Sequence, residues 1–278
     1  MSRAAMLTFL VLGACGSNLV ASAPDAEVAS PAAPVLPDTL EAGKLEEVSS
    51  KRALVPSPLE TQKVLADAGI EADLATLMKD RTVDAAGTNE DQTAIATGVV
   101  LADMLLSIKV STDERLLAQL AQIHNGMVAL KGGDDIVRTI ADISERVKAK
   151  AVNRENLLKE LDELSGAVIP ELEFEGRTRI VPLIQGGSWL EGANLVASAS
   201  KAAGKTTACD QLLKQPDVVA YFQERTRRLA GDTAVNPVYD SLGKALARLH
   251  ELSTKVEPLN SAEVDDVIAL TGGLLSVL

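Results

Sequence analysis

Aromatic side chains are almost missing. The 278 residues contain one Trp, two Tyr and three Phe, 2% of the chain. That excludes an aromatic platform for stacking bases or sugars, and it weighs against a β-sandwich, whose strands draw on aromatic and β-branched residues. Positive charge is also short: 27 Lys and Arg face 39 Asp and Glu, a formal net charge of −12. Phosphate binding needs a basic face, so nucleic acid is excluded as a partner. Histidine and cysteine occur only twice each. The apolar stretch at the N-terminus, Ala4 to Leu12 with Thr8 inside it, is far too short to cross a bilayer. What remains is a chain with 46% hydrophobic and 24% charged residues, dominated by Ala, Leu, Glu, Lys and Asp. It has the material for a core and a composition that favours helices.

The N-terminus carries the most specific signal. Arg3 supplies a positive start, Ala4 to Leu12 an apolar run, and the small residues Gly13 and Ala14 stand directly before Cys15. Leu12-Gly13-Ala14-Cys15 resembles a lipobox, the processing site of bacterial lipoproteins. The resemblance implies cleavage before Cys15, a diacylglyceryl group on its thiol and an acylated amine, and several chains anchor far more firmly than one. Gly16, where an Asp is the usual inner-membrane retention signal, implies the outer membrane. The alternative is an ordinary secretory signal cut near Ala21-Ser22-Ala23. With Cys15 acylated, Cys209 has no partner, and Asp210 beside it would raise rather than lower the thiol pKa. Cys209 therefore reads as structural.

The chain divides into a signal peptide over 1–14, an acylated Cys and Pro/Ala-rich tether over 15–57, and a helical domain over 58–278. Pro24, Pro31, Pro34, Pro37 and Pro56 punctuate the tether, which has no apolar period and reads as an extended spacer. From Ser57 the pattern changes. Ser57-Pro58-Leu59-Glu60 is a helix start with an N-cap, Pro at the first position and Glu at the third. Starts are also expected at Thr88, Ser111, Asn153, Asn236 and Asn260, with capping-box spacing from Ser111 to Glu114 and from Asn260 to Glu263. Stops are expected at Gly69, Gly132-Gly133, Gly204 and Gly231. Between them apolar residues step by three and four. The stripes are Leu116-Leu120-Ile123-Met127-Leu130, Ile136-Ile140-Ile143-Val147, Leu157-Leu161-Leu164-Val168, Val218-Phe222-Leu229, Val238-Leu242-Leu249-Val256 and Val264-Val267-Thr271-Leu274-Leu278. The expected fold is all-α, an antiparallel bundle of about seven to nine helices. Thr178 to Ile184 has strand propensity, but Pro182 makes it a helix start.

Two helices carry unusual sequences. Gly98-Val99-Val100-Leu101-Ala102-Asp103 and Gly186-Gly187-Ser188-Trp189-Leu190-Glu191 resemble the G-x-x-x-A-D and G-G-x-W-x-E helices of a group of all-helical bacterial envelope lipoproteins. The resemblance spans residues 57–275 in motif order and implies fold and envelope location, with no activity attached. Ser188 and the low aromatic content depart from that group. Asp103 and Glu191 sit in otherwise apolar runs, so each needs a donor or must be held neutral. One account is structural, with Asp103 accepting from the Trp189 indole, a hydroxyl or a backbone N–H while the glycines let two helices approach. The other is a ligand pocket lined by Asp103, Trp189 and Glu191.

Other motifs fall short of chemistry. Ala203-Gly204-Lys205-Thr206-Thr207 imitates the end of a P-loop, but Ala199 stands where the first glycine belongs and no strand precedes it. His124 and His250 lack the Glu-x-x-His spacing of di-metal bundles and read as half-buried packing residues. No Gly-x-Ser-x-Gly elbow occurs. Asp134-Asp135 and Asp265-Asp266 read as acidic helix N-termini. Arg225, Arg227 and Arg228 read as a solvated face, with a phosphate or lipid-headgroup role as the alternative. The expected function is a non-enzymatic binding or scaffold lipoprotein of the cell envelope, held by its lipid on Cys15, facing the periplasm or less readily the cell surface, with an envelope protein as partner. No catalytic residue, metal or other cofactor is expected. The alternative is a small-ligand binder centred on Asp103, Trp189 and Glu191.

Overall fold

Ser57 opens the first helix as its spacing predicts. Its hydroxyl accepts the Glu60 N–H at 3.1 Å, and the Glu60 carboxylate accepts the Ser57 N–H at 2.9 Å. The computed structural model describes residues 57–70, 73–77, 89–206, 210, 212–231 and 237–275. The signal peptide, Cys15, the tether to residue 56, the starts expected at Thr88 and Asn236, and Thr207, Cys209 and Leu278 lie outside the described residues.

The described residues are all-helical, with nine helices and no strand. In chain order these are α1 (Pro58–Asp67), α2 (Glu90–Ser107), α3 (Asp113–Ala129), α4 (Asp134–Lys148), α5 (Arg154–Phe174), α6 (Val181–Ala202), α7 (Pro216–Gly231), α8 (Pro237–Ser253) and α9 (Ser261–Leu275). A single helical turn, Asp73–Leu77, lies between α1 and α2. None of the described helices is long and apolar enough to cross a membrane.

Asn153 and Asn260 cap α5 and α9. The Asn260 side-chain amide oxygen accepts the Glu263 N–H at 3.1 Å, and the Glu263 carboxylate accepts the Asn260 N–H at 2.9 Å. The start expected at Ser111 falls one residue later. Thr112 caps α3 by accepting the Arg115 N–H at 3.2 Å. Ser111 still belongs to the tail of α2, because its N–H donates to the Ser107 carbonyl at 2.8 Å. Gly69 and Gly204 end their helices in the left-handed region, with φ of 67° and 65°. At Gly132-Gly133 the left-handed residue is instead Lys131, φ 54°, and Gly133 begins α4. Lys150 and Gly176 end α4 and α5 in the same conformation, φ 52° and 72°, without a sequence signal that was read. The strand-like segment is indeed a helix start, with Pro182 in the first turn of α6.

The expected stripes of α3, α4 and α9 are buried over their described residues. One position is corrected. Val256 does not continue the α8 stripe, since the helix stops at Ser253 and Val256 is 90% exposed in the following loop.

α2 and α6 differ from their neighbours in being apolar almost all round and buried along most of their length. They form the centre. One core cluster packs α2 against α3, α4, α5 and the start of α6. The other packs α6 against α1, α7, α8 and α9. The two central helices run side by side in the same direction. Arg179 meets Asp91 at one end, and Ala102 and Leu106 share a cavity wall with Ser188, Gly192 and Val196 further along.

Gln119 of α3 is the weak point of the first cluster. It is 6% exposed, and neither its amide oxygen nor its amide nitrogen has a hydrogen-bond partner among the described residues. An unsatisfied buried amide loses its hydration without compensation. Gln119→Leu is expected to raise the stability by about 1 kcal/mol, read as a higher urea midpoint at unchanged slope.

Candidate functional site

The sequence singled out three residues on the two central helices, and all three are buried. Asp103 is 5% exposed, Glu191 0% and Trp189 7%. Asp103 lies in the last third of α2, where its backbone carbonyl accepts the Ser107 hydroxyl at 2.6 Å. Glu191 lies midway along α6. One turn further on, Asn194 donates its amide to the Thr271 hydroxyl at 2.8 Å and to the Ile268 carbonyl at 3.2 Å, tying α6 to α9.

Trp189 packs against α7. Its ring is tilted against Phe222 of α7 with centroids 5.3 Å apart, and Phe222 meets Tyr221 edge to face at 5.2 Å. Trp189 lines two small cavities. One, of about 30 Å³, is walled by Thr61, Leu106, Ser188 and Leu212; the other, of about 20 Å³, by Gly186, Phe222, Arg225 and Leu246. Neither has Asp103 or Glu191 in its wall. The structure brings Trp189 together with Phe222, therefore, and buries both carboxylates.

A polar cluster that was not read from the sequence closes one end of the central pair. Asp91, in the first turn of α2, accepts a two-pronged bond from Arg179, at 2.5 and 2.8 Å. The Tyr239 hydroxyl of α8 donates to the same carboxylate at 2.6 Å. Arg177 pairs with Glu90 one residue earlier. Burial pushes the Asp91 carboxyl upward, but the Arg179 and Tyr239 hydrogen bonds and the Arg179 charge outweigh it and hold the group below its ordinary value. Tyr239 is pushed the other way, well above an ordinary phenol, first by burial and then by the Asp91 charge and hydrogen bond. Each partner stabilises the form of the other that makes the bond. The arrangement can hold three segments together, and its ionised groups satisfy one another. The sequence signal was the acidic pair Glu90-Asp91 at a helix start and the Arg177-Thr178-Arg179 run before another, which specify charge but not a partner 88 residues away.

The remaining motifs find structural tasks. Lys205, the imitation P-loop lysine, donates to the carbonyls of Ala68 at 2.5 Å and Gly69 at 3.4 Å, closing the C-terminal end of α1. Asp265 and Asp266 reach across to Lys201 and Arg248, so they join helices as well as beginning one. Asp134 and Asp135 occupy the first turn of α4, as expected. Arg227 and Arg228 both pair with Glu224. Arg225 instead lies over the Tyr221 ring, 5.3 Å from its centroid. Among the described residues no three His, Cys, Asp or Glu converge as a metal site would require.

The outer surface of the α3–α4 hairpin carries a groove of about 390 Å³. Leu117, Ala121, His124, Ala141, Asp142, Glu145 and Lys148 are among the residues that line it. His124 is half-buried there. Val128, at the same end of α3, is 52% exposed. No protein-family model, curated protein or solved structure matches the chain.

Proposed function

We propose that the chain is a lipid-anchored envelope lipoprotein whose bundle docks another envelope protein and performs no catalysis. The observation that carries the docking reading is the open groove along α3 and α4, lined by the small residues Ala121 and Ala141 and by the charged residues Asp142, Glu145 and Lys148. Ala121 and Ala141 leave a helix backbone room to approach, and charged neighbours give register to an apolar seat. The fitting occupant is an amphipathic helix with an apolar stripe and basic flanks, since this chain carries a net charge of −12. The anchor reading rests on Leu12-Gly13-Ala14-Cys15, and Gly16 supports the outer membrane, with the bundle facing the periplasm.

Crosslinking in cells with the full-length protein tests both parts. The wild type is expected to give one dominant crosslinked envelope protein, and Ala121→Glu with Ala141→Glu is expected to abolish it without loss of helicity. A crosslink that survives both substitutions would remove the groove from consideration. Cys15→Ala is expected to move the protein out of the membrane fraction; retention there would end the anchor reading.

A further inference from the structure

The α3–α4 groove continues past the residues that support docking. On α3 it is lined by Leu117, Ala121 and His124, and the next step of four along that face is Val128, which lines a second, wider cleft of about 600 Å³. On α4 the face of Ser144 and Ala141 runs on, in steps of three and four, to Val137 and Asp134, which line the same cleft. Groove and cleft are thus successive lengths of one seam between the same two helix faces. From Leu117 to Val128 the seam is about 16 Å long, about three turns of helix. Apolar surface is available at the cleft, since Val128 is 52% exposed.

The two lengths differ in charge. In the groove Asp142 is paired with Arg146 at 2.9 Å and Glu145 with Lys148 at 2.7 Å. In the cleft Arg138 is taken by Asp135, which leaves Asp134, Glu171 and Glu175 against Lys131 alone among its lining residues. Bare backbone helps to gather these acids. A Cβ at Gly133 would lie 2.8 Å from Glu171 Oε1, so the glycine lets this carboxylate reach the start of α4, next in the chain to Asp134. Like charges held close together repel, and a cation brought among them relieves the repulsion. The seam therefore favours positive charge at the cleft and shows no such excess of acid along the groove.

We propose that the seam takes a partner helix of about three turns, its apolar stripe along Leu117, Ala121 and Val128 and its Lys or Arg residues gathered at one end, in the cleft beside Glu171 and Glu175. The inference rests on the docking reading of the groove and narrows it. Basic residues at one end give the partner a single direction along the seam, which an even distribution of charge would not.

The test is photo-crosslinking in cells, in the full-length protein, with benzoylphenylalanine placed either at Ser144 in the groove or at Val128 in the cleft. Both positions are expected to capture the same segment of one envelope protein, at residues about two turns of helix apart. The residue captured from Val128 is expected to lie in a Lys- or Arg-rich end of that segment. Glu175→Lys is expected to lower the yield from both positions about fivefold with unchanged helicity, because Glu175 is exposed and a cation suits a helix C-terminus. Capture from Ser144 with an uncharged or acidic segment at Val128, or a yield indifferent to Glu175→Lys, overturns this inference and leaves the docking reading standing. No capture from either position overturns both.

Discussion

Gly98→Ala is expected to cost the fold about 3 kcal/mol or more, seen as a large fall in the urea midpoint. A Cβ at Gly98 would press into the Ile184 carbonyl, 2.9 Å from its carbon and 3.0 Å from the Ser188 nitrogen. Gly187 makes the reciprocal contact: a Cβ there would lie 2.9 Å from the Ile95 carbonyl carbon. These are backbone atoms of helices buried on most sides, so neither can yield by turning a side chain. The two axes must separate, and the packing of both core clusters would open with them. Alanine's better helix propensity returns only about 1 kcal/mol. Gly187→Ala is expected to do similar damage, and the double variant less than the sum, because both press on one crossing. Gly166→Ala and Gly273→Ala are the controls. A Cβ at either meets nothing within 4 Å, so each is expected to gain about 0.5–1 kcal/mol. If Gly98→Ala behaved like these controls, the close crossing of α2 and α6 would be wrong.

Asp91→Asn is expected to cost about 2 kcal/mol at neutral pH, less than a fully buried pair because Arg179 keeps 41% of its side chain exposed. The variant removes the closer of the two anions on the guanidinium, leaving Glu90 at 3.6 Å, and weakens the acceptor for Tyr239. The pH dependence has a definite sign. Asp91 has a lower pKa folded than unfolded, so its contribution is complete above the unfolded value near about 4. It is lost as pH falls through the depressed folded value. Tyr239 acts at the opposite limit. Its folded pKa is raised, so its contribution is complete below the unfolded value near about 10 and is lost as pH rises beyond it. Urea midpoints measured across pH are expected to fall at both extremes in the wild type. The acid fall should be shallower in Asp91→Asn and the alkaline fall shallower in Tyr239→Phe. Unchanged limbs in both variants would show that the cluster contributes nothing to the fold.

Neither prediction was available from the sequence, though parts of both were legible. The glycines of the Gly98 and Gly187 helices suggested a close approach of two helices. That the contact is between backbones, and that these helices lie at the centre with both core clusters on their flanks, is a property of the packed structure. Asp103 and Glu191 are buried, as their places in apolar runs of the sequence suggested. Trp189 was placed with them, but its partner is Phe222, from a helix whose position no local pattern specifies. Phe222 itself had been read only as a member of a stripe.

Local rules, then, determined where the helices begin, which faces they bury and that no strand forms among the described residues. They did so because caps, left-handed stops and the 3.6-residue period act within a few residues of one another. The errors were local too: a cap shifted from Ser111 to Thr112, and a stripe extended to Val256 past the end of its helix. Tertiary structure decided which charges meet. Asp91 could have remained a solvated acid at a helix start, and Arg225 could have joined the surface network of Arg227 and Arg228. One was bound by Arg179 and Tyr239, and the other lies over the Tyr221 ring. Those outcomes depend on interactions between residues far apart in the chain, which exist only once the helices have packed.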